Sequence, residues 1–308
     1  MATTTSITTT YAGEFAGKYI SAALLSADTL EGGGVTIKPN VKYKEVMKTL
    51  STDAIVKDAT CDFSDTSTLT LAEKILQPEE FQVNLELCKS DFASDWEAIS
   101  MGYSAFDELP SNFADYLIGH VAAKVAQKTE QTIWTGATAN AGEFNGFGAL
   151  LAADTDVVDV TGTSVTAANV ITEMGKVVDA VPTSIYGKDD LYIYVSSNVA
   201  RAYVRALGGF GASGLGANGV RNEGTTWFNN QDLAFDGVKI FVASGMANNT
   251  MVAAQKSNLF FGTGLMSDQN EVKLLDMADL DGSKNVRVVM RYTAGVQIGI
   301  GADIVYYS

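Results

Sequence analysis

The stretch from Pro110 to Gly136 constrains the fold of this chain more than any other. Phe113, Leu117, Val121 and Val125 recur at every fourth position, and Ile133 and Trp134 extend the apolar stripe. Lys124, Gln127, Lys128 and Glu130 face elsewhere, so the spacing predicts an amphipathic helix over about 112–135. Ser111 or Asn112 can accept from the first orphan amides, and Gly136 can end the helix. A long straight helix with one apolar stripe has to bury it, and packing on a sheet is expected here. At 308 residues the chain exceeds the usual single-core size, which leaves one large mixed domain or two sub-domains sharing a sheet.

The sheet residues follow from period-two patterns. Phe81, Val83, Leu85 and Leu87 fall on one face of a strand. Before it, Ser51 to Leu76 alternates in stretches around the turn chemistry of 61–67, which predicts a long hairpin with its tip at Asp62 to Ser67. After the long helix, Val165 to Val181 predicts a second helix ending at Pro182. A strand over Leu191 to Val195, a helix over Ser197 to Leu207 and a Gly-rich stretch from Gly208 to Gly224 come next. Strands are then expected at Val238, Met251, Leu259 and Val272, and a terminal hairpin pairs Val286–Tyr292 with Val296–Ile300 around a turn at Thr293-Ala294-Gly295, with the glycine as the turn signal. Near the start, Tyr11, Phe15, Tyr19, Ile20 and Leu24 lie at helical spacing until Gly32 to Gly34 ends any helix; Val35–Ile37 and Val41–Leu50 read as short extended or irregular pieces. The class is α+β, with no fixed-period repeat.

Composition removes several functions. A formal charge of −15 repels nucleic acid and anionic membrane, so whole-chain phosphate neutralisation is not expected. Lys38, Lys42, Lys44 and Lys48 form the main basic group, either a solvated face or a contact to an acidic neighbour. The start is Thr-rich without a basic or apolar leader, and the apolar runs are broken well before ~18 residues, so neither a secretory signal nor a membrane helix is expected. Cys61 and Cys88 are expected to be buried thiols. A nucleophilic triad needs imidazole, and the one histidine, His120, sits mid-helix beside Leu117 and Val121 as a structural residue; a catalytic zinc site needs three nitrogen or thiolate ligands, which His120, Cys61 and Cys88 do not offer at any familiar spacing. Asp276, Asp279 and Asp281 before Gly282 imitate a calcium loop but lack the later Glu. The glycines after Leu207 follow a helix rather than a strand and carry no phosphate-binding fingerprint, while Phe210, Trp227 and Phe228 could stack a ligand or fill an interface. No metal and no cofactor is expected.

The order of elements resembles the major capsid proteins of tailed bacteriophages with the Hong Kong-97-like fold. An arm before Ser51, a hairpin loop around Ala54–Leu76 and a long helix starting at Phe113 look like that family's opening. The helix end at Lys128–Gly136 and the following Asn145-Gly-Phe-Gly-Ala-Leu are similar to its way into the next sub-domain. Leu191–Tyr203 resembles a strand and helix of its axial domain, and Leu233–Phe241 resembles an "L-x-G-x-P-V" strand in which Lys239 stands in place of the proline. Tyr11–Tyr19 and Lys38–Lys44 are also similar to one group of phage capsid sequences. The resemblance covers most of the chain. It implies an N-terminal arm (1–50), an extended hairpin loop and return strand (51–90), a peripheral domain with a spine helix (91–164), an axial domain carrying the 208–224 loop (165–262) and a return to the peripheral domain (263–308).

What it implies for function is a shell subunit, not an enzyme, that assembles with itself into hexamers and pentamers of an icosahedral head enclosing DNA. Ring-centre loops would meet at the axis, and arm and hairpin would overlap neighbours. The assembly residues would be Lys38, Lys42 and Lys44 on the arm, Phe63 and Asp65 at the hairpin tip, and Phe210, Trp227 and Phe228 near the central loop. A separate scaffolding protein, a portal and decoration proteins would be partners, with assembly in the host cytoplasm and residence in the virion capsid. An acidic shell would leave packaged DNA free to enter and leave. An encapsulin-like nanocompartment shell shares this sequence grammar but needs a cargo-docking pocket; a carboxylate-dependent hydrolase is the distant third reading, and an export-dependent S-layer protein is weaker still. Some relatives cross-link lysine to asparagine, but the 62–67 tip has no lysine and Lys57 and Lys74 lie on its flanks. Boiled mature particles are expected to run as a single subunit band on a denaturing gel; a ladder of covalent multimers would contradict this.

Overall fold

The computed structural model describes residues 28–52, 55–59, 61, 65–88, 111–207, 233–264, 272–278 and 282–308. The long helix α2 spans Ser111–Thr135, following a single turn, α1, at Asp28–Glu31. Its last turn is buried: Ile133 and Trp134 are enclosed, and the Gly136 amide closes on the Thr132 carbonyl at 3.0 Å. Glu130, expected to face away from the apolar stripe, is instead fully buried, for a reason given below.

Helix α2 lies on a five-stranded sheet built around β12 (Asn285–Ile298). The turn expected at Thr293 does not form, because β12 runs straight through it and changes partners on the way. Residues 285–294 pair antiparallel with β4 (Glu79–Cys88), 286–290 with β11 (Val272–Asp276), and 295–298 with β10 (Leu259–Gly262). Gly295 marks the change. A Cβ there would come within 2.9 Å of the Gln77 carbonyl and of Pro78, where the chain passes from β3 (Leu69–Leu76) into β4. The glycine read as a turn signal serves close backbone approach instead. Strand β1 (Thr36–Lys38) adds to β10 in parallel.

The second sheet has six strands in the order β5 (Val158–Val160), β13 (Val305–Tyr307), β9 (Met251–Gln255), β6 (Leu191–Ser196), β8 (Val238–Ala243), β7 (Ala234–Phe235). Strands β6 and β8 are parallel and are linked through α5 (Ser197–Leu207), as their strand–helix–strand order requires. Both faces are covered, which explains why these strands read as apolar runs. Ile193, Val195, Met251 and Ala253 point to a core shared with α4 (Val170–Asp179) and α5, whereas Tyr194, Val252 and Ala254 point to a second core shared with α2 and the five-stranded sheet. Helix α4 begins later than the expected Val165. The Asn169 carboxamide oxygen accepts from the Thr166 amide at 2.7 Å and from its hydroxyl at 3.0 Å, a local turn that competes with the first helical turn. The three residues of β13 return the chain terminus to this sheet, where the Tyr307 hydroxyl donates to Glu173 of α4 at 2.7 Å.

The segment from Asp28 to Lys38 ties the parts together. The Thr29 amide and hydroxyl both donate to the Glu130 carboxylate, at 3.1 and 2.6 Å, and the Trp134 indole donates to the Thr29 hydroxyl at 2.8 Å. Glu130 and Trp134 are four residues apart and therefore share a face of α2. The Ser244 hydroxyl donates to Asp28 at 2.9 Å, and Tyr194 of β6 donates to the Gly34 carbonyl. Trp134 packs against Phe147 and Tyr194, with ring centroids 5.3 and 5.4 Å away. Burial pushes the Glu130 carboxyl up, the Thr29 hydroxyl and amide pull it down, neighbouring Asp28 adds to the rise, and the balance lies above the usual carboxylate range. The raised value means that this group's contribution is fully present at low pH and is lost as pH rises through its folded pKa.

Replacing Thr29 by Val keeps the volume but removes the hydroxyl that donates to Glu130 and accepts from the Trp134 indole N–H in the interior. The expected cost is roughly 2–4 kcal/mol, read as a lower urea midpoint at constant slope. A midpoint equal to that of the parent would refute the role given to this contact.

Candidate assembly surface

The hairpin leaves the body of the protein as a two-stranded sheet. Its first strand, β2 (Glu45–Thr52), starts six residues before the expected Ser51 and pairs antiparallel with β3 in a register that sets Val46 against Ile75, Lys48 against Glu73, Leu50 against Leu71 and Thr52 against Leu69. Alternation places these eight residues on one face. The apolar members Val46, Leu50, Leu69, Leu71 and Ile75 are between 47% and 66% exposed. Aliphatic cross-strand pairs normally bury against a third layer, and the chain's own described residues supply none here. Ile55 and Val56, farther out, are 62% and 87% exposed. The Lys48–Glu73 pair on the same face is loose, at 3.9 Å with both side chains exposed, so it adds little stability.

The root of the hairpin is held differently. Leu76 is fully buried on Gly262, where an added Cβ would come within 2.9 Å of its side chain. Gln297 of β12 donates to the Ile75 carbonyl at 2.8 Å. Lys74 meets Asp154, the residue after helix α3 (Phe147–Ala153), at 2.5 Å, with both side chains mostly covered. Burial pushes the Asp154 carboxyl up, but the Lys74 ammonium and the Asp156 amide pull it down further, to below its ordinary value.

The expected assembly residues divide into three groups. Lys38 is taken up within its own subunit: it pairs with Glu45 and sits 5.1 Å from the centre of the Phe260 ring. Lys42 and Lys44 are exposed, Lys44 lying 5.2 Å from the ring centre of the exposed Tyr43, and Asp65 is exposed as well. Phe63, Phe210, Trp227 and Phe228 lie outside the described residues, as do the 208–224 loop, the Tyr11–Leu24 segment, and Asp279 and Asp281. The thiols are not both buried as expected: Cys61 is exposed on the connection between the hairpin strands, and Cys88, at the end of β4, is half-covered. Sequence reading found the hairpin but not its apolar face. The alternation was legible in Val46, Leu50, Leu71 and Ile75, but which face the body covers depends on the register.

Among the described residues, no group of three His, Cys, Asp or Glu side chains is placed to hold a metal ion, and no helix is long and apolar enough to cross a membrane. A cavity of about 210 Å³ opens beside Trp134, Met246, Thr250 and Tyr306, smaller than the ~300–1,000 Å³ of typical small-molecule pockets.

No protein-family model and no curated protein matches the chain. Solved structures do. A structure from Mycobacterium phage Adephagia is 17% identical over 94% of this chain and 92% of that one, with a TM-score of 0.60. The capsid of Myoviridae phage XM1 is 10% identical over 95% and 94%, also at 0.60. The capsid of the native GTA particle is 13% identical over 94% and 93%, at 0.59. The α+β fold of this chain is thus the fold of phage capsid structures, in keeping with the Hong Kong-97-like expectation, and the likeness takes in nearly the whole of both partners.

If the exposed hairpin face is an interface, changing Leu50 to Lys and Leu71 to Glu together, which sets opposite charges across the strand pair, should leave monomer stability within about 1 kcal/mol, as for surface positions generally. The same change should abolish self-association in sedimentation. Retained association would remove the face from the assembly surface.

Proposed function

We propose that the chain is a major capsid protein that assembles with itself into hexamers and pentamers of an icosahedral phage head around DNA. The observation that carries the reading is the outlying hairpin with its uncovered aliphatic face, set on a fold that phage capsid structures share along nearly their whole length. A lone subunit gains nothing from five exposed aliphatic side chains on one strand pair; a shell subunit covers them with a neighbour. Obligate assemblies of this kind bury upwards of ~2,000 Å² per interface, and such burial needs no metal or catalytic base.

In this reading the exposed Lys42 and Lys44 meet an acidic neighbour, which a chain of net charge −15 supplies in every copy. Phe63 and Asp65 serve the hairpin tip, and Phe210, Trp227 and Phe228 serve contacts near the ring centre. The domain limits proposed are arm 1–50, hairpin 51–90, peripheral 91–164 and 263–308, and axial 165–262, with the first hairpin strand reaching back into the arm as far as Glu45. The chain performs no catalysis. A scaffolding protein, a portal and decoration proteins complete the set of partners, assembly takes place in the host cytoplasm, and the negative charge leaves the enclosed DNA mobile.

Expression of the chain alone, and together with its neighbouring phage genes, followed by negative-stain microscopy and light scattering, tests the proposal. Closed shells, or five- and six-membered rings, are the expected products. Shells that enclose a co-expressed enzyme would move the reading to a nanocompartment, and a monodisperse monomer under every condition would end it.

A further inference from the structure

Besides the Lys38–Glu45 pair, which holds the first residue of β2 opposite Leu76 at the pivot, the hairpin is fastened to the body at three places within three consecutive residues of β3, each of a different kind. Leu76 is an apolar pivot on Gly262, the Ile75 carbonyl takes a hydrogen bond from Gln297, and Lys74 reaches across to Asp154. The first two lie at the rim of the five-stranded sheet and leave a hinge about which two strands can swing. The third lies one residue farther out and ends on another element, the C-terminal cap of α3. Asp154 is itself fixed: its amide closes the last turn of α3 on Leu150 at 3.1 Å, and its carboxylate accepts from the Asp156 amide at 3.0 Å. On its far side Gly301 is so close that an added Cβ would lie 3.0 Å from the carboxylate. Beyond Lys74, residues 69–73 of β3 are all exposed, so among the described residues nothing after this point steadies the strand against the body.

We propose that the Lys74–Asp154 pair is a strut that sets the pitch of the hairpin, and that this pitch selects the curvature with which copies of the chain assemble. The second clause rests on the shell reading above; the first does not. The leverage is large. Eight residues of strand extend about 26 Å, so a rotation of about 10° at the root carries the outer end about 4–5 Å, which is comparable to a whole strand spacing. A displacement of that size would move the Leu50–Leu71 pair from one seat on a neighbour to another. Because the strut joins β3 to α3 rather than to its own sheet, the packing of α3 against α2 is mechanically linked to the hairpin.

The test uses the unassembled full chain with nitroxide labels at Cys61 and at a cysteine introduced in place of the exposed Ile171, in a Cys88→Ser background. Pulsed electron–electron distance measurement should give one narrow distribution for the parent. Lys74→Met should shift or broaden it by about 4 Å or more, given the length of the lever. The exchanged pair, Lys74→Glu with Asp154→Lys, should restore the narrow distribution. A parent distribution as broad as that of Lys74→Met, or an exchanged pair that fails to narrow it, overturns the strut. Shells from the parent and from Lys74→Met are then compared by microscopy. Uniform parent shells with variants of mixed diameter support the role in curvature, and unchanged diameters refute it. If the parent forms no shells at all, it is the shell reading that fails, while the label distances still decide the strut.

Discussion

A single carboxylate organises the centre of this molecule. Glu130 sits in the last turns of the long helix, fully enclosed, and its carboxylate accepts from the amide and hydroxyl of Thr29, a residue about a hundred positions earlier in the chain, and from the Gly245 amide. A buried carboxylate without hydrogen-bond donors would be expensive, so the helix can pack in this register only if the segment at Asp28–Lys38 is docked. That segment in turn bonds to Tyr194 of the six-stranded sheet and pairs with β10 of the five-stranded one. Helix, both sheets and the segment leading out of the N-terminal region are therefore held by a cluster of contacts no more than a few residues wide. Its aromatic lining, Trp134, Phe147, Tyr194 and Phe241, fills the space between the two sheets.

The body built around this cluster is well enclosed, and the hairpin is its opposite. Its side chains obey the alternation of a half-buried strand, yet the face that alternation prepares for burial is open. Within the body, apolar residues of both sheets reach two continuous cores; among the described residues of the hairpin, Leu76 at the root is the one apolar side chain that is fully buried. The body supplies its own core, and the hairpin carries apolar surface that, on the proposed function, another copy would bury.

Much of the fold was legible because local physics dominated there. The 3.6-residue stripe of 113–134 and the strict alternation at 81–87 leave little choice of structure, and the α5 boundaries at Ser197 and Leu207 follow from the strand before them and the glycines after. The misreadings share one cause. Gly295 looks like a turn signal because glycine is permissive, but it is there because β12 passes close to Gln77 and Pro78, more than two hundred residues earlier. Glu130 looks like a solvent residue because it is charged, and its partner lies in a segment whose sequence says nothing about docking. Cys61 was assigned to the interior on the habits of cysteine, and its place on the hairpin connection exposes it.

By itself the sequence determined the class: a long amphipathic helix with alternating strands, on a chain of strongly acidic composition. These properties depend only on residue type and on spacing within one element, so no distant contact can change them. Only the tertiary structure decided which face of the hairpin is left open, which carboxylate is buried and which lysine is held by the body. Each of those depends on register and on pairs such as Thr29 with Glu130 and Lys74 with Asp154, whose partners are brought together by the folding of the whole chain.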